Sequence, residues 1–277
     1  MKNRITLSMA IALLLLTGVF VLVALVPLLP SYHPYQQNLA ASLVMPGGTD
    51  MNGAFYLFGT DTLGRDMLSR LSLAGRVSLF IGFAAVVVSL LIGVMLGLVA
   101  GFYRGWTENI IMGLADLQLS IPRVLLLIAV AATVNTSLVN LALLLGFTSW
   151  VSYGRVARAM ALSLREREFV LAATTQGATS AWNIRKHLLP NVIPQMLIVG
   201  SYEFAQIIVM EASLSYLGLG VQPPLPSWGL MISEGKQYMF FSPWVIAIPA
   251  AALVLLVLAI NLVGDGLRDV TAPENRG

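Results

Sequence analysis

Apolar side chains dominate six long stretches of the chain, about residues 5–26, 77–102, 109–134, 138–159, 195–217 and 243–264, with polar and charged islands between them. Their apolar character is continuous rather than alternating, so the pattern predicts helices and not barrel strands. About 20 residues suffice to cross a bilayer, and each stretch, extended to its flanking residues, reaches that length. The third and fourth are the least regular. Their apolar cores, 121–134 and 138–151, are too short singly, so the expected spans extend back to Asn109 and forward to Ala159, with a turn at Asn135-Thr136-Ser137. The fold class is therefore all-α, a polytopic membrane protein of about six transmembrane helices.

Two islands break this pattern at length. Residues 27–75 form a polar excursion containing Pro27, Pro30, Pro34 and Pro46, without the hydrophobic periodicity of an independent domain. Near its end, Asp61 or Thr62 can cap a helix starting near Leu63, with Met67, Leu71 and Ala74 on one face. Asp61–Arg65 and Asp66–Arg70 are four apart and can pair. The expected organisation is a segment 1–76, comprising a signal-anchor helix, a loop and an interfacial elbow helix, followed by a core at 77–277.

The second island, residues 160–194, holds the run REREFVLAATTQGATSAWNIRKHLLPNVIP from Arg165 to Pro194. Residues 161–176 are good helix formers. Gly177 can adopt positive φ and turn the chain, and Ser180 can cap a short second helix ending near Leu188, before Pro190.

Composition agrees with a membrane protein. Of 277 residues, 57% are hydrophobic and 10% charged, and mean hydropathy is +0.83. Cysteine is absent, which excludes disulfides and thiolate metal sites, and His33 and His187 lie far apart. Gly93, Gly97 and Gly101 recur every four residues and let another helix approach closely. With the N-terminus inside, Lys2, Arg4, Arg104, Arg155, Arg158, Arg165, Arg167, Arg185, Lys186, Arg268 and Arg276 fall on the inner side. Only Arg65, Arg70, Arg76 and Lys236 fall outside, which is the asymmetry expected of cytoplasmic loops. Both termini and the second island are thereby expected in the cytoplasm.

Several motifs resemble one family. AAxxxG (172–177), nine further residues, then HxLPN (187–191) is similar to the cytoplasmic loop of ABC-importer permeases. FGTDTLGRDMLSR (58–70), EASLSYLGLGV (211–221), QPPLPSWG (222–229) and NLVGDGLRDV (261–270) resemble the dipeptide, oligopeptide and nickel branch. Departures are Leu171 where the general loop pattern has Glu (the nearest acid is Glu168), Tyr216 for Phe, and the Thr271-Ala272-Pro273 ending. The resemblance covers residues 58–269. It implies a type I ABC-importer transmembrane domain whose loop, at 165–190, docks on an ATP-binding subunit. The docking residues it implies are Glu168, Ala172, Ala173, Gly177, Ala178, Trp182, Arg185, His187 and Pro190. It also implies as partners a second homologous permease, two ATPase subunits and a periplasmic or lipid-anchored solute-binding protein in the bacterial inner membrane. Cargo would be short peptides first, then nickel or a metal chelate.

The chain has no GxxxxGK[ST] loop, HExxH or GxSxG, so it is not expected to be an enzyme or to bind a cofactor or nucleic acid itself; ATP and magnesium would belong to the ATPase subunits. Glu203, Gln206, Met210 and Glu211 in the fifth span are candidates for the translocation path, since a carboxylate facing lipid costs a few kcal/mol. An ion-coupled secondary transporter using Glu203 and Glu211 is the alternative, but it predicts inverted repeats, which the sequence does not display. A membrane-embedded enzyme would need paired acids or a nucleophile with a base, and Asp116 has no partner evident from spacing.

Overall fold

The computed structural model describes residues 7–134 and 137–271. Among the described residues its regular structure is helical apart from a two-stranded antiparallel hairpin, β1 (Gly48–Thr49) and β2 (Phe55–Tyr56), inside the first polar excursion. The helices are α1 (Leu7–Phe20), α2 (Met67–Tyr103), α3 (Gly105–Ser120), α4 (Arg123–Ala131), α5 (Leu138–Leu164), α6 (Glu168–Thr175), α7 (Ser180–Asn183), α8 (Leu189–Tyr216), α9 (Trp228–Gly235) and α10 (Trp244–Thr271). Lys2, Arg4, the turn residues Asn135 and Thr136, and Arg276 lie outside the described residues.

Four helical segments are long and apolar enough to cross a membrane: Ser8–Leu28, Met67–Tyr103, Ser180–Tyr216 and Trp244–Asp269. The expected third span is not one straight helix. It breaks at Ile121-Pro122 into α3 and α4, bent by 86°, and makes a fifth span only if the pair is counted together. Proline pushes the preceding residue towards extended backbone, and Ile121 obeys with φ −101° and ψ 127°. The expected fourth span is α5, which has the length but not the apolarity, because Asn140, Thr148, Ser149, Arg155 and Arg158 dilute it.

The scaffold is organised on α2, which at 37 residues extends about 55 Å. The elbow helix does not start near Leu63. Asp66 is the cap, its carboxylate accepting from the amides of Leu68 and Ser69, and the helix then runs unbroken through the second span. The glycine stripe is where α5 comes closest. A Cβ on Gly93, Gly97 or Gly101 would run into the α5 backbone at Trp150, Gly154 and Arg158 respectively. Around this seam lie one apolar cluster shared by α2, α4, α5 and α8 (Ile81, Leu127, Leu145, Ile207) and another reaching α6 (Leu98, Tyr153, Val170, Leu188, Val192). A third joins the start of α2 to α8, α9 and α10, around Met67, Ile208, Trp228 and Leu256.

At the start of α2 the polar excursion is clipped down by the GTDxLGRD run. Gly64 has φ +68° and sits against the backbone of Asn38, whose carbonyl carbon would be 2.6 Å from any Cβ. The Thr60 hydroxyl donates to the Ala41 carbonyl at 2.6 Å and accepts from the Val44 amide at 2.8 Å. Asp61 and Arg65 pair as their spacing predicts, at 2.7 Å. The expected Asp66–Arg70 pair does not form. Asp66 is committed to the helix cap, and buried Arg70 turns to Asp61 at 2.5 Å and to Glu234 of α9 at 2.9 Å. The run is a structural elbow.

Candidate functional site

The charged island folds into a compact knuckle at the far end of α2. The single expected helix over 161–176 is two. α5 ends at Leu164, the chain kinks at Arg165–Arg167, and α6 begins at Glu168. The Arg165 guanidinium ties this kink to the last turn of α2, donating to the Phe102 carbonyl at 2.6 Å. α6 ends in a Schellman turn. The Gly177 amide donates to the Thr174 carbonyl and the Ala178 amide to the Ala173 carbonyl, each at 3.0 Å, with Gly177 at φ +90°. The next helix is capped by Thr179, not Ser180, its hydroxyl accepting from the Trp182 amide at 3.3 Å. Nor does that helix stop before Pro190. It passes through a wider π-type turn over Ile184–Leu188, in which the Leu189 amide reaches back to the Ile184 carbonyl, and continues as α8. Residues 180–216 are therefore one uninterrupted helical rod. π-type turns are rare, and where they occur they are mostly single-turn bulges inside otherwise regular α-helices.

The knuckle has two faces. Inward, Val170 and Leu188 are buried against α2 and α5, and the Asn183 side-chain amide donates to the Thr174 hydroxyl at 3.0 Å. His187 sits edge-on between Phe169 and Trp182, with ring centroids 5.4 and 4.9 Å away. Outward lie Glu168, Ala172, Gly177, Trp182, Arg185 and Pro190, all exposed, while Ala173, Ala178 and His187 are half-buried. A shallow hollow lined by Ala173, Gln176, Gly177, Ala178, Thr179 and Trp182 opens on this face.

The fifth-span candidates divide. Glu211 is fully buried, accepting from Ser78 of α2 at 3.1 Å and from Ser215 of its own helix at 2.7 Å. Glu203, equally enclosed, faces Arg123 at 3.7 Å. Gln206 and Met210 are half-buried, with Met210 packed on the α2–α5–α8 cluster. Sequence spacing did not find Arg123 as the partner of Glu203, nor Glu234, nor the partners of the acids on α3. Asp116 pairs with Arg155 at 2.6 Å and Glu108 with Arg158. These are contacts between helices, with no periodicity to reveal them. Among the described residues no group of His, Cys, Asp and Glu is arranged to hold a metal ion.

Long apolar helices around buried carboxylates, with a polar knuckle projecting from one end, place the molecule among polytopic membrane proteins. The chain belongs to the family of binding-protein-dependent transport system inner membrane components, whose family model matches residues 93–277. It is 35% identical over 273 residues to a dipeptide transport system permease of Alkalihalophilus pseudofirmus, covering 99% of this chain and 87% of that one. A di/tripeptide permease of Pseudomonas aeruginosa is 38% identical (90% and 82% covered), and an oligopeptide permease of Bacillus subtilis 39% (79% and 72%). Among solved structures, a chain of the MetNI methionine ABC transporter in an inward-facing form superposes with a TM-score of 0.59 at 20% identity, covering 74% of this chain and 98% of that one; this likeness is one of fold. The chain is thus a multi-pass inner-membrane permease subunit of an ABC transporter.

Proposed function

We propose that this chain is one of two permease subunits of an ATP-driven importer of short peptides, loaded by an extracytoplasmic binding protein and driven through the 165–190 knuckle by separate ATPase subunits. The observation that carries the reading is the two-faced knuckle. One face is packed onto α2 and α5, while the other presents Gly177, Ala178 and Trp182 around a hollow. Such a part suits a rigid lever better than a disordered loop. The peptide cargo is supported by the names of the relatives, whose similarity runs nearly the length of the chain. Nickel or a metal chelate ranks behind it. On this reading both termini and the knuckle lie in the cytoplasm, as the distribution of Lys and Arg suggests.

Gly177→Pro tests the coupling role, because proline fixes φ near −65° and cannot hold the +90° seen here. The variant is expected to insert and fold, yet to lose co-isolation with the ATPase subunits and uptake of labelled dipeptides. Normal uptake would end the docking assignment. A panel of labelled dipeptides and nickel, given to cells carrying the whole transporter, tests the cargo.

A further inference from the structure

Among the described residues, three buried polar atoms between α4, α5 and α8 have no hydrogen-bond partner within normal geometry, Nε of Arg123, Oη of Tyr153 and Oε2 of Glu203, although the Ser89 hydroxyl of α2 lies near the Tyr153 phenol. They form one cluster. Arg123, the first residue of α4 after the bend, donates to the Ser149 hydroxyl and lies 3.7 Å from Glu203. Tyr153 is one turn beyond Ser149 on α5, and its hydroxyl lies over Gly200, one turn before Glu203 on α8 (3.4 Å from a Cβ placed there). Buried polar groups are almost always paired, so three orphans in one place call for an explanation. The Arg123–Glu203 contact is too long for a hydrogen bond and leaves both charges incompletely satisfied.

We propose that Arg123, Tyr153 and Glu203 form the site at which this subunit holds the charged ends of a transported peptide, the guanidinium and phenol donating to the terminal carboxylate and Glu203 accepting from the terminal ammonium. This rests on the reading of the chain as a peptide permease. The set offers two donors and one acceptor, the complement of a zwitterion, which brings acceptor oxygens at one end and N–H donors at the other. A guanidinium fork suits a carboxylate in particular. Access also fits. The Arg123 side chain is 27% exposed, that of Glu203 only 4%, and Tyr153 is fully buried, so a ligand arriving past the exposed Ile121-Pro122 bend meets the cation first and reaches the phenol only once α4 moves aside from α5 and α8. A carboxylate that takes Arg123 releases Glu203 for the ammonium, and cargo then interacts differently with the closed and opened cluster, as any ligand-driven change requires.

The test is uptake by the complete transporter, with its own binding protein, of one labelled dipeptide in three forms: free, C-terminally amidated and N-terminally acetylated. The binding protein is the same in every variant, so a change in the ratio between forms belongs to the permease. Arg123→Gln is expected to raise the KM for the free peptide roughly tenfold, the loss of one charge-assisted hydrogen bond, and to shrink its advantage over the amide. Arg123→Lys keeps the cation and should retain most of that advantage. Glu203→Gln should erase discrimination against the acetylated form while leaving the response to amidation. Tyr153→Phe keeps the packing and should weaken the carboxylate preference alone. If all four variants slow the three forms by one common factor, the cluster is a packing element and the proposal fails. Failure of the unaltered transporter to take up any peptide would instead overturn the cargo reading on which it rests.

Discussion

Gly97→Ala probes the seam on which the bundle is built. The added methyl would lie 2.7 Å from the Cβ of Ala157 and closer still to the Gly154 carbonyl. Carbon atoms pack comfortably at about 3.5–4.0 Å, so α2 and α5 must part locally by about 1 Å. A gap of that size forfeits up to half of the ~0.1–0.2 kcal/mol held by each atom pair. Over roughly twenty facing pairs this amounts to about 1–2 kcal/mol, within the ~1–3 kcal/mol typical of overpacking. Alanine also improves helix propensity by about 1 kcal/mol, which would mask part of the loss. Gly113→Ala on α3 supplies the correction, because nothing lies within 4 Å of a Cβ there and only the propensity gain remains. The difference between the two variants is expected to be about 1–3 kcal/mol, with Gly97→Ala the less stable. Reversible unfolding of the purified chain in mixed detergent and SDS, followed by far-UV circular dichroism, measures it. Coincident transitions for the two variants would refute close backbone contact along the glycine stripe.

Arg70→Met should be among the most destabilising single changes outside the apolar core. It removes the buried cation shared by Asp61 and Glu234 and leaves Asp61 paired with Arg65 alone, and losing such a charge-assisted hydrogen bond costs about 1.5–3 kcal/mol; an unchanged melting temperature in detergent would contradict the elbow network. Glu211→Ala strips the hydroxyls of Ser78 and Ser215 of their shared acceptor, and is expected to depress uptake far more than Glu166→Ala, whose side chain is 71% exposed. Equal and mild uptake defects would reduce Glu211 to a replaceable packing residue.

What could be read from the sequence was whatever depends on neighbours along the chain. Gly93, Gly97 and Gly101 announce a close approach because a period of four keeps them on one face, and Gly177 announces a turn because few other residues hold φ +90°. Asp61–Arg65 follows from the same helical arithmetic. The failures share a cause: a local rule met a competitor. Asp66 could either pair with Arg70 or cap α2, and the cap won because Arg70 had Glu234 available 164 positions away. Pro190 looked like a stop until the π-type turn carried the helix through it. Pro122 carries a local signal for the break between α3 and α4, because proline pushes the residue before it out of the helical region. The Arg123–Tyr153–Glu203 cluster draws on three helices and has no signature along any of them.

The continuity of residues 180–216 constrains how a force can travel. A hinge between knuckle and membrane would let the knuckle swing without disturbing the bundle, and a helix ending before Pro190 would have provided one. Instead Trp182, on the exposed face, and Glu203, inside the bundle, are carried by the same helical rod, about 32 Å apart along its axis. The breaks in helical backbone at the knuckle are the Arg165–Arg167 kink and the Gly177 turn, both on its α5 side, whereas the rod itself carries only a π-type turn at 184–188 and Pro194 as places to flex. α2 is a poor place for compliance, being clipped at one end by Arg70 and Asp61, held at the other by Arg165, and pressed along its middle against α5. A displacement applied at Trp182 is therefore delivered to α8 and relieved at the α5–α6 junction. Glu203 then moves relative to Arg123, which stands on a different helix at the bend. The contact least able to follow is that 3.7 Å pair, already too long to hydrogen-bond.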